Sequence, residues 1–530
     1  MPDSPSRLAR SAGVFGLATF ASRILGLVRD QVLAFYFGAE STADAFRVAG
    51  RIPNLVRDLF AEGAMSAAFV PTFTRQLTLH GRERAWTLAS SVINSLILVT
   101  GVLVLAGIVF AEPLVRTFAP EFIKVPGQVE LTVHLTRIML PFLTLAAMAA
   151  VLMGMLNSLG HFFVPALSPA MFNVAVVAIA VVFIPLAPSF GIEPITMVAI
   201  ATLVGGIGQL LIQWPPLRKE GFRYRPTIDF RDEGLHRVLL LMGPGTIGMA
   251  TTQINVFVNT MLATSAGTGA VTYLDLAFRL MYLPIGLFGV SIAAASTPAV
   301  SRLVAEGNFA RIRSTLASAV SLMLLLNVPA TVGLIVLAEP IVAVIFERGR
   351  FSATDTMATA AALRFYALGL VGYSVVRIVT PTFYSLHKSR IPVMVSMASV
   401  VVNVALNWWL VGLLGVRGLA LGTSITALLN AGVQLWLVRR ELSGIDGHRI
   451  IGSLVRIVVA ATAMGFGAWG ANELLTQWLP GQSLVLQVIR LTLAVGTALV
   501  TLAIASQALR IPEFGEARDL VLGRFKRMVR

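Results

Sequence analysis

Cysteine is absent from the 530 residues. That excludes a disulfide scaffold, an iron–sulfur cluster, a thiolate zinc site and a cysteine nucleophile. Histidine is scarce: the six residues never fall in an H-E-x-x-H spacing, so no histidine-based metal enzyme is indicated. No G-x-x-x-x-G-K-[ST] phosphate loop occurs, which argues against an ATP-driven step. Charge is thin as well. Asp, Glu, Lys and Arg make up 13% of the chain, about half the usual share and too few to cover a water-soluble fold of this size. Apolar residues fill the gap. The AVILMFWYC set is 56%, and the 45 glycines raise it to about 64%, where soluble proteins hold ~45–50%. Mean hydropathy is +0.81. The chain reads as a polytopic membrane protein.

A helix crossing ~30 Å of hydrocarbon needs about 20 mostly apolar residues. Segments of that kind occur fourteen times between residues 11 and 509. The first (11–36), second (43–74), eighth (270–301) and tenth (355–386) carry charges together with glycine or proline, so hydropathy alone undercounts them. The apolar run 14–27 is interrupted by Arg23 and followed by no A-x-A-like site, so it is expected to be retained rather than cleaved as a signal peptide. Fourteen spans place both termini on one side. That side holds most of the basic loop residues, among them Arg75, Arg82, Arg84, Arg218, Lys219, Arg439 and Arg440. The opposite loops carry only Arg116, Lys124, Arg348, Arg350 and Arg417. The bias makes the termini cytoplasmic. It also accounts for the net charge of +15 through topology and contact with anionic lipid heads, so nucleic acid is not an expected partner.

The chain repeats at an offset of about 227 residues. Ala111-Glu112-Pro113-Leu114-Val115 returns as Ala338-Glu339-Pro340-Ile341-Val342, Arg137 as Arg364, Ser158-Leu159 as Ser385-Leu386, and Pro165 as Pro392. Each copy holds six spans, an even number, so both enter the membrane in the same direction. Parallel repeats of this kind build alternating-access carriers with a site near the bilayer midplane. The expected fold is an all-α polytopic membrane protein of about fourteen transmembrane helices. Two pseudo-symmetric six-helix lobes, 1–225 and 226–445, precede two additional helices and a basic cytoplasmic tail at 446–530. The last two spans, 450–474 and 484–509, are rich in small residues such as Gly465, Gly467 and Gly470. Close helix packing is the first reading of that pattern; a groove for an isoprenoid tail is the other.

Arginine at the centre of a spanning helix costs ~2.5–3.5 kcal/mol on insertion scales and faces a partner or a wet cavity. The first two spans concentrate such residues: Arg23, Arg29, Arg47, Arg51 and Arg57, beside Asp30, Asp44, Asp58 and Glu62. The eighth adds Asp275 and Arg279, and the tenth adds Arg364 and Arg377. Mutual neutralisation is one reading, since Asp44–Arg47 and Asp275–Arg279 lie at helical spacing. The other is a hydrated cationic chamber between the lobes that accepts a diphosphate, because the guanidinium fork makes bidentate bonds to phosphate oxygens.

Residues 22–71 resemble the MurJ/MviN family of lipid II flippases. The resemblance rests on Ser22-Arg23-Ile24-Leu25-Gly26-Leu27-Val28-Arg29-Asp30, Phe37-Gly38-Ala39, Asp44-Ala45-Phe46, Arg51-Ile52-Pro53-Asn54-Leu55 and Phe60-Ala61-Glu62-Gly63-Ala64. Arg279-Leu280-Met281 before Pro284, and Pro381 with Phe383-Tyr384-Ser385, are similar to that family's eighth- and tenth-helix motifs. The resemblance implies a member of the MOP exporter superfamily that moves lipid II, the undecaprenyl-diphosphate-linked peptidoglycan precursor, to the outer leaflet of the bacterial cytoplasmic membrane. It implies binding roles for Arg23, Arg29, Asp44, Arg57 and Arg279, with Ser22, Asp30 and Glu62 lining the same cavity; Arg51 and Arg377 join them as candidates from their place inside spans. The family's usual Asp before the eighth-helix arginine is Phe278 here. Asp275, one turn earlier, is the alternative partner for Arg279. No catalytic residue, metal or cofactor is expected, and membrane potential or a monovalent ion is the candidate driving force. The expected partners are lipid II, membrane lipids and the peptidoglycan synthesis machinery, with the chain acting as a monomer. The alternatives are a flippase for another polyprenyl-linked oligosaccharide and a multidrug exporter of the same superfamily. A membrane enzyme acting on polyprenyl phosphates would need an acid/base or metal cluster, and none has persuasive spacing.

Overall fold

The computed structural model describes residues 5–59, 65–229, 232–515 and 518, and their regular structure is helical throughout. The chain divides into two compact units, Met1–Thr272 with Arg348–Phe351, and Tyr273–Glu347 with Ser352–Arg530. In the first run α1 (Pro5–Phe37), α2 (Ser41–Arg57), α3 (Met65–Val109), α4 (Ala111–Phe118) and α5 (Gln128–Met139). They are followed by α6 (Phe142–Ser158), α7 (Phe163–Phe183), α8 (Pro194–Lys219) and α9 (Glu233–Ser265). The second holds α10 (Ala270–Pro284), whose first three residues belong to the first unit, α11 (Val290–Ala305), α12 (Phe309–Val336), α13 (Ala338–Phe346) and α14 (Ala353–Leu368). It ends with α15 (Leu370–Ser385), α16 (Arg390–Leu414), α17 (Val416–Glu441), α18 (Gly447–Trp478) and α19 (Leu484–Ala508).

Ten helices or helix pairs among the described residues are long and apolar enough to cross a membrane. The tenth sequence span, expected to be undercounted, is one of them, as Ala353–Ser385. The other four stretches (first, second, seventh and eighth) are helical over their described residues. Many large apolar side chains remain exposed on the long helices, Trp408 at 74% and Phe466 at 70% among them. Lipid-facing surface is expected to look like this, because burying those faces gains nothing from surrounding hydrocarbon.

Helix ends follow local chemistry. Gly81, with φ +80, lets the chain turn between the two halves of α3, which the sequence separates as the second and third spans. The Ser352 hydroxyl accepts from the Asp355 amide while the Asp355 carboxylate accepts from the Ser352 amide. This reciprocal pair starts α14. Asp232 caps α9 through the Leu235 amide.

The first unit packs around Phe69, Phe73 and Trp86, whose rings adjoin Phe222 and, through it, Trp214. Leu235, Val238 and Met242 of α9 belong to the same buried cluster. The seventh span therefore packs with α3, and the compact first unit runs on to Thr272. A second cluster joins α1, α2, α5, α7 and α8 around Phe37, Ala45, Leu135 and Val176.

In the second unit, α12, α15, α17 and α18 share a core that includes Met323, Val379, Val438 and Ile457. Met464 and Ala468 of α18 meet Ala494 and Ala498 of α19. A Cβ on Gly465 would lie 2.7 Å from the Val332 side chain, and one on Gly467 2.7 Å from Thr501 Oγ1. These two glycines serve close helix packing, the first of the two readings above.

The repeat is visible in local geometry. Each unit carries a short helix after a long one, α4 after α3 and α13 after α12, opening on the repeated Ala-Glu-Pro. Arg137 Nε donates to the Ile108 carbonyl at 3.3 Å, and Arg364 Nε donates to the Ile335 carbonyl at 3.3 Å. Both arginines sit at the C-terminal end of the preceding long helix, where a cation meets exposed carbonyls. Arg364, counted above among the arginines inside spans, thus tethers a helix end as its repeat partner Arg137 does.

Candidate functional site

Arg29 and Arg57 reach a single cavity of about 260 Å³ in the first unit. Its apolar wall comes from α6, with Phe142 and Met153, and from Phe172 of α7; its polar lining includes Asn173 and Gln213. Arg29 lies on α1 and donates through Nε and Nη2 to Asp30 Oδ1, at 3.2 and 2.9 Å. Its guanidinium sits 5.8 Å from the Phe172 ring centroid, within cation–π range. Arg57 closes α2 and makes the same kind of contact with Asp58, at 3.0 and 2.7 Å. In both pairs the arginine engages one carboxylate oxygen through its Nε/Nη2 edge. Arg23 is half-buried and has no side-chain hydrogen bond or ion pair among the described residues. Arg51, also half-buried, lies on α2 two residues before the helix-interior Pro53.

Asp44 sits elsewhere. Its carboxylate is 1% exposed and accepts from the Gly269 amide at 2.6 Å, the Thr272 amide at 2.9 Å and the Thr272 hydroxyl at 2.7 Å. Those amides lie at the N-terminus of α10, so the anion caps that helix and meets the positive end of its dipole. Nearby, the Phe35 carbonyl accepts from the Arg350 amide at 2.9 Å, and Arg350 approaches Glu40 at 3.7 Å. Asp44 fastens α2 to the 269–272 segment of the same unit and is not among the residues lining the arginine cavity. Ser22 is half-buried, and its carbonyl accepts from Asn173 Nδ2 at 3.3 Å. Glu62 lies outside the described residues.

In the second unit, Arg279 Nε donates to Asp275 Oδ2 at 3.1 Å, the pairing that helical spacing allowed. Phe278 is not poised to replace a carboxylate. Its ring stacks on Tyr282 at 5.7 Å and meets the edges of Tyr366 and Tyr373 at 5.5 and 6.2 Å. Arg377 hydrogen-bonds the Tyr282 hydroxyl and lies 5.6 Å from that ring centroid. Arg377 thus sits against this aromatic cluster, while Arg279 turns to Asp275.

Sequence reasoning missed Asn173 and Gln213. Both are neutral amides in otherwise apolar runs, so neither charge nor spacing singles them out. Their only signal is a buried amide where the surrounding helix is aliphatic.

Long apolar helices with arginines set inside them define a multi-span membrane protein. The fold is similar to that of an inward-facing multidrug resistance MATE family transporter of the MOP superfamily, with a TM-score of 0.66 at 20% identity, over 81% of this chain and 98% of that one. A structure of lipid II flippase MurJ in an inward closed conformation gives a TM-score of 0.76 at 27% identity, covering 93% of this chain and 99% of that one. A probable lipid II flippase MurJ from Bdellovibrio bacteriovorus is 33% identical over 497 residues, 93% of this chain and 94% of the relative. The lipid II flippase MurJ of Burkholderia cenocepacia is 34% identical over 417 residues, 78% of this chain and 80% of the relative. The family model described as lipid II flippase MurJ matches residues 33–489. This chain belongs to that family.

Proposed function

We propose that this chain carries lipid II from the inner to the outer leaflet of the bacterial cytoplasmic membrane, by alternating access and without chemistry. The family match across residues 33–489 carries the reading. The paired arginines supply its mechanism. Arg29 and Arg57, which share one cavity, are the residues read as diphosphate ligands; Arg279 and Arg377 are further candidates within the second unit, and Arg23 and Arg51 add positive charge on α1 and α2. Each carboxylate partner holds its arginine in place until a phosphate oxygen replaces it. A dianionic diphosphate outcompetes a single carboxylate because it offers more acceptor oxygens to the guanidinium fork. An inside-negative potential favours outward movement of anionic charge by ~2.3 kcal/mol per charge per 100 mV, enough to bias the cycle with no cofactor. A surplus of arginine over carboxylate suits an anionic cargo better than the organic cations of drug exporters.

The reading places both termini in the cytoplasm and one chain in each functional unit. A chain with no cysteine makes the orientation easy to test. Arg84→Cys should react with an impermeant maleimide only after the membrane is opened, and Ser189→Cys should react on intact cells; the reverse pattern overturns the orientation. For function, this chain should restore growth and outer-leaflet lipid II to cells depleted of their own lipid II flippase. Normal membrane abundance without restored lipid II would point to another polyprenyl-linked cargo.

A further inference from the structure

Two hydrogen-bond acceptors of residues beside the arginine cavity have no donor among the described residues. Asn173 is 7% exposed, and its Nδ2 donates to the Ser22 carbonyl at 3.3 Å and the Pro169 carbonyl at 3.2 Å. Gln213 is fully buried, and its Nε2 donates to Ser168 Oγ at 3.0 Å and the Gln209 carbonyl at 2.9 Å. A carboxamide has two N–H donors, so these contacts use both and fix which way each amide faces. Asn173 Oδ1 and Gln213 Oε1 are left covered and unpaired among the described residues. A buried acceptor without a donor is unfavourable, and native structures rarely keep one without a reason. Other buried side-chain atoms among the described residues share that condition, Asn157 Oδ1 and Asn327 Oδ1 among them, but these two lie on neighbouring helices α7 and α8 and belong to residues that line the cavity Arg29 and Arg57 enter.

The missing donors must suit that cavity. A metal or ammonium ion is disfavoured, because two guanidiniums already share the space. Neutral N–H or O–H groups are not. An N-acetylated sugar or a peptide attached to a diphosphate brings such groups alongside the anion that the arginines attract. We infer that Asn173 and Gln213 are specificity-determining residues: Arg29 and Arg57 hold the diphosphate while the two amide oxygens accept hydrogen bonds from the sugar–peptide part of the headgroup. The inference rests on the lipid II reading and adds to it a division of labour within one cavity. Anionic attraction alone would bind any polyprenyl diphosphate, whereas acceptors left unpaired by a bare diphosphate favour the decorated one.

The test compares two probes on the purified full-length chain in lipid nanodiscs, lipid II and undecaprenyl diphosphate, the latter lacking the sugar and peptide. Gln213→Met and Asn173→Ala are measured separately against wild type. The expected result is an affinity for lipid II about three- to tenfold weaker, the scale of one or two lost hydrogen bonds, with undecaprenyl diphosphate bound as before. Selective loss in either variant supports the assignment. It is overturned if neither variant discriminates, whether both probes weaken together or neither changes. Wild-type protein that binds neither lipid defeats the lipid II reading itself, an outcome distinct from wild-type binding of both with variants that fail to discriminate.

Discussion

Arg29 and Arg57 show how one residue type serves two ends. Each is anchored to the next residue in sequence, Asp30 or Asp58, and each lines the same cavity. Changing either to Ala should reduce lipid II transport about tenfold or more, the order expected when a charge-assisted bond to phosphate is lost. Lysine should rescue only part, since a point charge lacks the guanidinium fork; a rate for Arg29→Lys equal to wild type would contradict the bidentate role. Asp44 calls for a different expectation. With three donors on its carboxylate, Asp44→Asn should weaken the α2–α10 junction by about 1–3 kcal/mol. Single-cysteine accessibility near Gly269 should rise, and unchanged labelling would show that the junction does not depend on the charge. The arginines were legible in the sequence because a charge inside an apolar span is rare and costly. The capping role of Asp44 was not, because its partners are backbone amides 225 and 228 residues away.

Between elements, two fastenings stand out. Gly349 has φ +61, and a Cβ there would lie 2.2 Å from the Phe35 carbonyl, so the 348–351 turn can meet α1 only with glycine at that position. Gly349→Ala should lower the melting temperature and raise accessibility at residue 35; normal melting would show that the turn relaxes without cost. At the other end of the first unit, Glu220 joins three segments. It accepts from His161 at 2.9 Å and from Arg82 at 3.0 Å, where Arg82 follows the Gly81 turn. The His161 hydrogen bond, with the Arg82 charge behind it, holds the Glu220 carboxyl below the usual glutamate range. A lowered carboxyl contributes stability above its unfolded value and loses it as pH falls through the folded one. Acidification should therefore loosen this clasp, and Glu220→Gln should flatten the acid limb of a melting curve; an identical limb would contradict it. Ten of the spans were readable from hydropathy, but their interruptions were not. The break between α5 and α6 at Leu140-Pro141, and that between α14 and α15 at Gly369, interrupt stretches the sequence presents as single spans.

At the scale of the molecule, the 227-residue repeat is more than a pattern of apolar residues. It reproduces a hydrogen bond, Arg137 to Ile108 and Arg364 to Ile335, in each of two units. The apolar face of α9 completes the core around Phe69 and Trp86, so the compact first unit takes in the seventh span. Sequence periodicity records ancestry; packing answers to whichever surface needs cover. The central claim is that arginines sunk in an apolar bundle carry an anionic lipid headgroup across the membrane. It is tested most directly by reconstituting the full-length chain in sealed vesicles with lipid II in one leaflet and timing its appearance in the other. The wild-type chain should equilibrate lipid II between leaflets, and a chain with both Arg29→Ala and Arg57→Ala, reconstituted to the same level, should leave it where it was placed. Equal transport by both proteins would contradict the account.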